Sequence, residues 1–116
     1  MRLFALLSVA AAVAAPAPSL EQARLDVWHL RKVAFRYFTD HQSFAGMTGA
    51  SLRRYNRTLP RSLRVPPALR VAWAGQFSFC LEEAAADGGI ASLAFDAHTT
   101  RYTLRSAACP TQTRSG

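Results

Sequence analysis

The sequence has few of the residues from which metal sites, phosphate loops and catalytic centres are built. Its 116 residues include two cysteines, three histidines and a single lysine beside thirteen arginines. Two cysteines cannot form a four-cysteine zinc site, and His29, His41 and His98 lack the spacing of paired metal ligands on a helix or strand. No glycine-rich phosphate loop occurs. We therefore expect no resident metal and no cofactor.

Long apolar runs are also scarce. The uncharged stretch over residues 3–15 would rise only about 20 Å as a helix, against a hydrocarbon core of about 30 Å. It follows a positive Arg2, and Ala12-Val13-Ala14 places small residues where a signal peptidase cuts. We predict a signal peptide over residues 1–14, cleaved after Ala14, and a secreted or cell-surface protein. An uncleaved membrane anchor is the alternative, and only then would the protein contact a membrane.

Export would place both cysteines in an oxidising compartment, and we predict a disulfide between Cys80 and Cys109. Such a bridge closes a loop of about 30 residues and stabilises the fold by roughly 3.5 kcal/mol in the chain-entropy model. The alternative, a lone catalytic thiol, needs a base and a positioning group, and the residues around either cysteine propose neither.

The hydropathy pattern predicts a single α+β domain over residues 15–110. A long amphipathic helix is expected over residues 19–41, with Ser19 as N-cap and Gln22 completing a capping box. Its apolar residues follow spacings of three and four, which place them on one stripe. The stripe consists of Leu20, Ala23, Val27, Leu30, Ala34 and Tyr37.

The remaining chain is predicted to be irregular first and then β-rich. Glycines and prolines break residues 44–68, which we expect to form an arginine-rich connection with a short helix around residues 48–55. Alternation over residues 69–105 predicts a small antiparallel sheet of three or four strands that receives the helix, and Leu69, Val71 and Trp73 share one face of the first strand. Residues 111–116 are expected to form a frayed tail.

The charge is concentrated in the middle of the chain. The formal net charge is +7, yet no acid occurs between His41 and Leu81, where six arginines lie. These arginines and one tyrosine form the candidate anion-binding set, which consists of Arg53, Arg54, Tyr55, Arg57, Arg61 and Arg64. A cell-wall polymer, a polysaccharide or a nucleic acid would fit such a set by charge and stacking. We expect no sequence-specific nucleic-acid recognition, because no reading helix or row of surface aromatics accompanies it. A solvated, unliganded loop is the alternative.

Candidate catalytic groups are few. Asp26 and His29 lie three residues apart on the predicted helix, where the aspartate would orient the imidazole or simply hydrogen-bond to it at the surface. Glu82 and Glu83 are adjacent on a predicted strand and should point to opposite faces, so they do not form a carboxylate pair with each other. We assign no catalytic residue and expect a protein that is not an enzyme, with a small secreted hydrolase as an alternative.

Several short motifs occur in a characteristic order. The helix exit comprises Ala34, Tyr37, Phe38, Asp40 and Phe44, a strand carries Phe79-Cys80-Leu81-Glu82, and Gly88-Gly89, Phe95-Asp96 and Cys109 follow. Over residues 20–109 this order resembles the globular part of type IV pilins and type II secretion pseudopilins. The resemblance implies a helix on an antiparallel sheet, a disulfide around the C-terminal hairpin, and pilin-like subunits or secretion components as partners.

The resemblance has one departure. Members of that family carry a leader ending in glycine and then a glutamate within an apolar helix of about 20 residues, which anchors and polymerises the subunit. This sequence shows no such stretch. We therefore expect a non-enzymatic, pilin-like interaction protein that is secreted or exposed at the cell surface. A cationic protein that binds an anionic polymer is the second expectation.

Overall fold

The computed structural model describes residues 16–112, in which one long helix lies across a four-stranded sheet. The predicted signal peptide, residues 1–14, and residues 113–116 of the predicted tail lie outside the described part. Among residues 16–112, no helix combines the length and the apolar character needed to cross a membrane.

Helix α1, Leu20–His41, begins at the predicted cap. Ser19 Oγ accepts a hydrogen bond from the backbone N–H of Gln22 at 3.0 Å, which satisfies one of the free N–H groups of the first turn. The side chain of Gln22 turns to Asp26, to which it donates at 2.9 Å, so only half of the predicted capping box forms. Gln42, which has a left-handed φ of 61°, caps the C-terminal end of the helix after His41.

One stripe of α1 is buried. Its buried residues are Ala23, Val27, Leu30, Val33, Ala34 and Tyr37. Phe35 lies at the margin of the stripe and places its ring 5.1 Å from that of Phe95. Trp28 lies nearer the start of the helix and contacts Tyr102 edge-on at 5.4 Å. The stripe thus packs against the sheet, as the spacing predicts.

Three short helical segments follow α1. Helix α2 spans Gly49–Arg53, and two 3₁₀ helices span Arg54–Thr58 and Arg61–Leu63. Thr48 and Ser51 cap α2 reciprocally, each side chain accepting from the other residue's backbone N–H. The connection is therefore more ordered than the irregular segment predicted for residues 44–68.

The sheet is an antiparallel meander of four strands, and the predicted helix-on-sheet architecture is confirmed. Strands β1 Leu69–Ala74, β2 Ser78–Ala84, β3 Ile90–Asp96 and β4 Arg101–Arg105 lie in chain order. The turn between β2 and β3 uses Gly88 with φ of 90°, a conformation that glycine adopts without strain.

A β-bulge in β1 overturns one predicted face. Val71 pairs with Leu81, but Trp73 pairs with Cys80, so Ala72 is the extra residue. The bulge sends Trp73 to the face opposite Val71, where its Nε1–H donates to the carbonyl of Pro110 at 2.7 Å. Simple alternation predicted that both side chains share a face, and that prediction is wrong.

The core lies between α1 and the sheet face that carries Phe79, Leu81 and Leu93. Phe44, which follows the helix, is 1 % exposed, and its ring lies 4.8 Å from that of Phe79. Aromatic rings therefore fill the centre of the interface, where they pack together with the aliphatic side chains of the core.

The opposite face of the sheet, the back face, is covered by the chain after β4. The predicted disulfide forms between Cys80 of β2 and Cys109, with sulfurs 2.08 Å apart. Beside it, Glu82 accepts a hydrogen bond from the Cys109 N–H at 2.6 Å. Together with the bond from Trp73 to Pro110, these contacts fasten the C-terminal segment across the back face.

Candidate functional site

The candidate anion-binding residues extend from the end of α2, where Arg53 lies, over the two 3₁₀ helices to Arg64, which follows the second of them. Four of them, here called the arginine segment, are exposed: Arg54, Arg57, Arg61 and Arg64. In a 3₁₀ helix residues three apart eclipse one another. Arg54 and Arg57 therefore project from the same side of the first 3₁₀ helix.

The arginine segment is held by a side-chain clamp. Asn56 Oδ1 accepts from the backbone N–H of Val65 at 2.7 Å, and Asn56 Nδ2 donates to the carbonyl of Val65 at 3.1 Å. Leu59 and Val65 are buried on either side of the second 3₁₀ helix. The Asn56 amide thus makes two hydrogen bonds to the backbone of one residue, as a paired residue on a neighbouring strand would. The backbone that carries the guanidinium groups of the segment is therefore anchored. Sequence reasoning did not assign this role to Asn56.

Arg53 has a different environment from the arginines that follow it. Its Nη1 lies 3.4 Å from the carbonyl oxygen of Pro66, 3.4 Å from that of Pro67 and 3.2 Å from that of Leu69. Three carbonyl acceptors engage one cationic group, a charge-assisted arrangement that fixes the end of α2 against the start of β1. Arg53 is one of the six candidate residues, but its guanidinium is engaged by the backbone and stabilises the fold.

Tyr55 connects the arginine segment to the long helix. Its hydroxyl donates to Asp40 Oδ2 at 2.5 Å, and the guanidinium carbon of Arg36 lies 4.7 Å from the centre of its ring. Burial raises the pKa of Tyr55 to about 12, and the hydrogen bond to Asp40 contributes in the same direction. The phenol is therefore protonated at neutral pH and keeps its bond to α1.

The arginine segment is electrostatically open. Within residues 16–112, the one ion pair closer than 4.0 Å joins Arg70 to Glu82, away from the segment. An open pocket of about 430 Å³ lies at its α1 end, where Arg54 meets His41 and the hydroxyl groups of Thr48, Ser51 and Tyr55. The Arg54 guanidinium is suited to a phosphate or sulfate group, whereas Tyr55 and the capping pair Thr48 and Ser51 already use their hydroxyl groups within the protein.

A second cluster of ionisable groups was missed by sequence reasoning. Glu83 is only 1 % exposed and lies under α1, where it meets Asp26. The pKa of Glu83 is raised to about 8, chiefly by burial and then by its hydrogen bond to Asp26 and the charge of that residue. In the described part of the chain, Glu83 Oε1 finds no hydrogen-bond partner. The predicted opposite orientation of Glu82 is seen, since that carboxylate binds Arg70 on the back face.

The predicted pair of Asp26 and His29 is not what the structure contains. Asp26 accepts from Gln22 and meets Glu83, whereas His29 is exposed. His41 stacks on Tyr37 with ring centres 3.9 Å apart. For the chain between residues 16 and 112, no histidine lies within 4.0 Å of a carboxylate oxygen and no group of three metal-binding side chains occurs.

Fold and surface together define a small, disulfide-bonded α+β protein with an open arginine-rich surface. No protein-family model, curated protein or solved structure gives a significant match to the chain. Function is therefore inferred from the residues and their geometry.

Proposed function

We propose that this protein is a non-enzymatic interaction protein that binds an anionic polymer through the arginine segment. The observation that carries the proposal is the arrangement of Arg54, Arg57, Arg61 and Arg64, which are exposed, lack ion-pair partners in the described chain, and stand on a backbone anchored by Asn56. Free guanidinium groups on an anchored loop bind phosphate, sulfate or carboxylate groups with little ordering cost.

Export of the protein belongs to the same proposal. The features that support it are the signal-peptide-like sequence over residues 1–14 and the disulfide between Cys80 and Cys109, a bond that persists in oxidising compartments. Wall polymers and extracellular polysaccharides or nucleic acids are then the available anionic partners. Intact-mass measurement of the native secreted protein tests this point, and we expect a chain that begins at Ala15.

Heparin chromatography with two charge-matched variants tests the binding proposal. The first variant replaces three residues of the arginine segment by glutamine: Arg57, Arg61 and Arg64. The second replaces three exposed or half-exposed basic residues elsewhere: Arg24, Lys32 and Arg105. Both lose three charges, so net charge alone predicts equal elution. We expect the first variant to elute at a clearly lower salt concentration than the second, and equal elution would contradict a localised surface.

A pilin-like subunit is the second candidate function. The supporting observation is the chain order, in which a long helix precedes an ordered connection, a four-stranded meander and a disulfide that fastens the C-terminal segment to β2. Filament or pseudopilus subunits bury their long helices against other copies, which would place the exposed side of α1 near a neighbouring copy.

Lys32 offers a direct test of subunit assembly. It is the only lysine of the chain and is exposed on α1. An amine-specific cross-linker applied to producing cells would join two copies through Lys32, and mass spectrometry would identify the peptide pair. We expect a pair linked through Lys32 in a pilin-like assembly and none in a Lys32→Arg variant. A product that remains monomeric under these conditions would remove this candidate.

A further inference from the structure

A small groove lies on the back face of the sheet, beside the anchored C-terminal segment. Its volume is about 230 Å³, and the chain at Pro110 closes one side. Side chains from all four strands line it: Trp73, Ser78, Ala94, Asp96, Arg101 and Thr103. The groove is separate from the arginine segment, which belongs to the connection before β1.

Strand register places three different polar groups in one row across the groove. Ser78 pairs with Asp96, and Asp96 pairs with Arg101. Paired residues on adjacent strands point to the same face and lie about 5 Å apart. A hydroxyl, a carboxylate and a guanidinium therefore stand side by side on the back face.

The groups of this row do not bind one another: one oxygen of Asp96 accepts from the backbone N–H of His98 at 2.9 Å, and the second remains open to a ligand. Ser78 is 3 % exposed, and its Oγ has no hydrogen-bond partner within the described residues. Asp96 and Arg101 are directly opposed, yet no carboxylate–guanidinium contact within 4.0 Å forms between them in residues 16–112. A buried hydroxyl without a partner is unfavourable, so a ligand that hydrogen-bonds to Ser78 Oγ removes that cost.

The neighbouring row supplies an apolar wall. Trp73, Ala94 and Thr103 occupy it, and the bond from Trp73 Nε1 to the Pro110 carbonyl fixes the indole in place. The disulfide at Cys109 holds the segment that accepts this bond. The groove is therefore formed before any ligand arrives, which reduces the ordering cost of binding.

The composition of the groove selects a neutral polyhydroxylated ring. The Asp96 carboxylate repels a simple anion, and the Arg101 guanidinium repels a simple cation. The charges of the groove therefore favour neither kind of ion. A sugar ring presents donors and acceptors to both charged groups and an apolar C–H face to the indole. The volume is below the 300–1,000 Å³ that drug-sized ligands occupy, which limits the occupant to about one sugar unit.

We propose that this groove binds a single neutral sugar unit, with Asp96 and Arg101 as its polar clamp and Trp73 as its apolar wall. This function goes beyond the binding of an anionic polymer and does not depend on it. The groove would add recognition of a neutral glycan unit to the charge-driven contacts of the arginine segment.

Tryptophan fluorescence tests the proposal in a Trp28→Phe background, where Trp73 is the remaining indole. The probes are glucose, galactose, mannose and N-acetylglucosamine, titrated into the millimolar range, with alanine as a zwitterionic comparison. We expect saturable quenching by at least one sugar and none by alanine. Quenching by alanine alone, or by no probe, would overturn the proposal.

Three further variants locate the binding. Asp96→Asn keeps the oxygen that accepts from the His98 N–H and so preserves the turn, and Arg101→Gln removes the guanidinium. Each substitution should lower the affinity for the sugar that quenches the parent protein at least tenfold. Arg105→Gln lies on the same strand and face beyond the groove, opposite Ser92, and should bind as the parent does. Equal affinity in all three variants would contradict the assignment.

Discussion

Replacing Glu83 by glutamine should stabilise the protein at neutral pH. Glu83 is buried beneath α1 beside Asp26, and its pKa is raised from 4.5 to about 8, first by burial and then by Asp26. In the folded state the carboxyl therefore keeps its proton up to about pH 8, whereas in the unfolded chain it releases the proton near 4.5. A glutamine amide has nearly the same shape and also donates a hydrogen bond to Asp26. Because the amide does not titrate, folding of the variant requires no protonation at this position.

The magnitude follows from the linkage between protonation and folding. Below pH 4.5 Glu83 is protonated in both the folded and the unfolded protein, and its contribution to the free energy of unfolding is fully present. As the pH rises towards 8, that contribution falls by about 1.4 kcal/mol per pH unit. At pH 7 the loss amounts to about 3 kcal/mol. We expect Glu83→Gln to match the wild type near pH 4 and to exceed it by about 3 kcal/mol at pH 7, measured by urea unfolding at several pH values.

The neighbouring residue provides the matched control. Glu82→Gln makes the same chemical change one position earlier, on the back face, where the carboxylate binds Arg70 at 2.9 Å and accepts from the Cys109 N–H. This variant should lose about 1–2 kcal/mol at pH 7, the opposite sign. A stability difference for Glu83→Gln that is independent of pH, or a loss at pH 7, would refute the assignment of a protonated Glu83 beside Asp26.

Three other predictions concern the fold and the clamp. Replacing Cys80 and Cys109 together by alanine should cost about 3.5 kcal/mol, because the bridge spans 29 positions, and denaturant unfolding of both forms measures it. Asn56→Ala should cost about 1–3 kcal/mol and make the backbone N–H of Val65 exchange faster in hydrogen-exchange experiments; unchanged exchange would contradict the clamp. Gly49→Ala should destabilise by about 1–3 kcal/mol despite alanine's higher helix propensity, since the new Cβ would lie 2.7 Å from the carbonyl oxygen of Leu69; a gain in Tm would contradict this.

The elements that sequence reasoning predicted correctly are those set by local chemistry. Ser19 caps α1 because its hydroxyl reaches a free N–H within the same turn, and the buried stripe follows from helical periodicity alone. The strands follow from alternation, and the disulfide follows from the presence of just two cysteines. The cap, the stripe and the strands depend on residues close in sequence, and two cysteines allow only one disulfide.

The features that sequence reasoning missed depend on which distant residues meet. The bulge at Ala72 moves Trp73 to the back face, and no residue in that strand is of a type that predicts a bulge. Glu83 and Asp26 are separated by about half of the chain and meet because α1 packs across β2 at that point. Arg53 looks like the arginines after it, but the turn at Pro66–Pro67 brings three carbonyl oxygens to its guanidinium.

The salt dependence of binding tests the central claim most directly. Affinity for a single-stranded oligonucleotide should fall with salt because bound guanidinium groups displace counterions. With four contacts from the arginine segment, the slope of log K against log salt should be about −3, or roughly a fifty-fold loss between 50 and 200 mM. A variant with all four arginines of the segment replaced by glutamine should show a slope near zero. Equal slopes for the two proteins would contradict the assignment of the arginine segment as the binding surface.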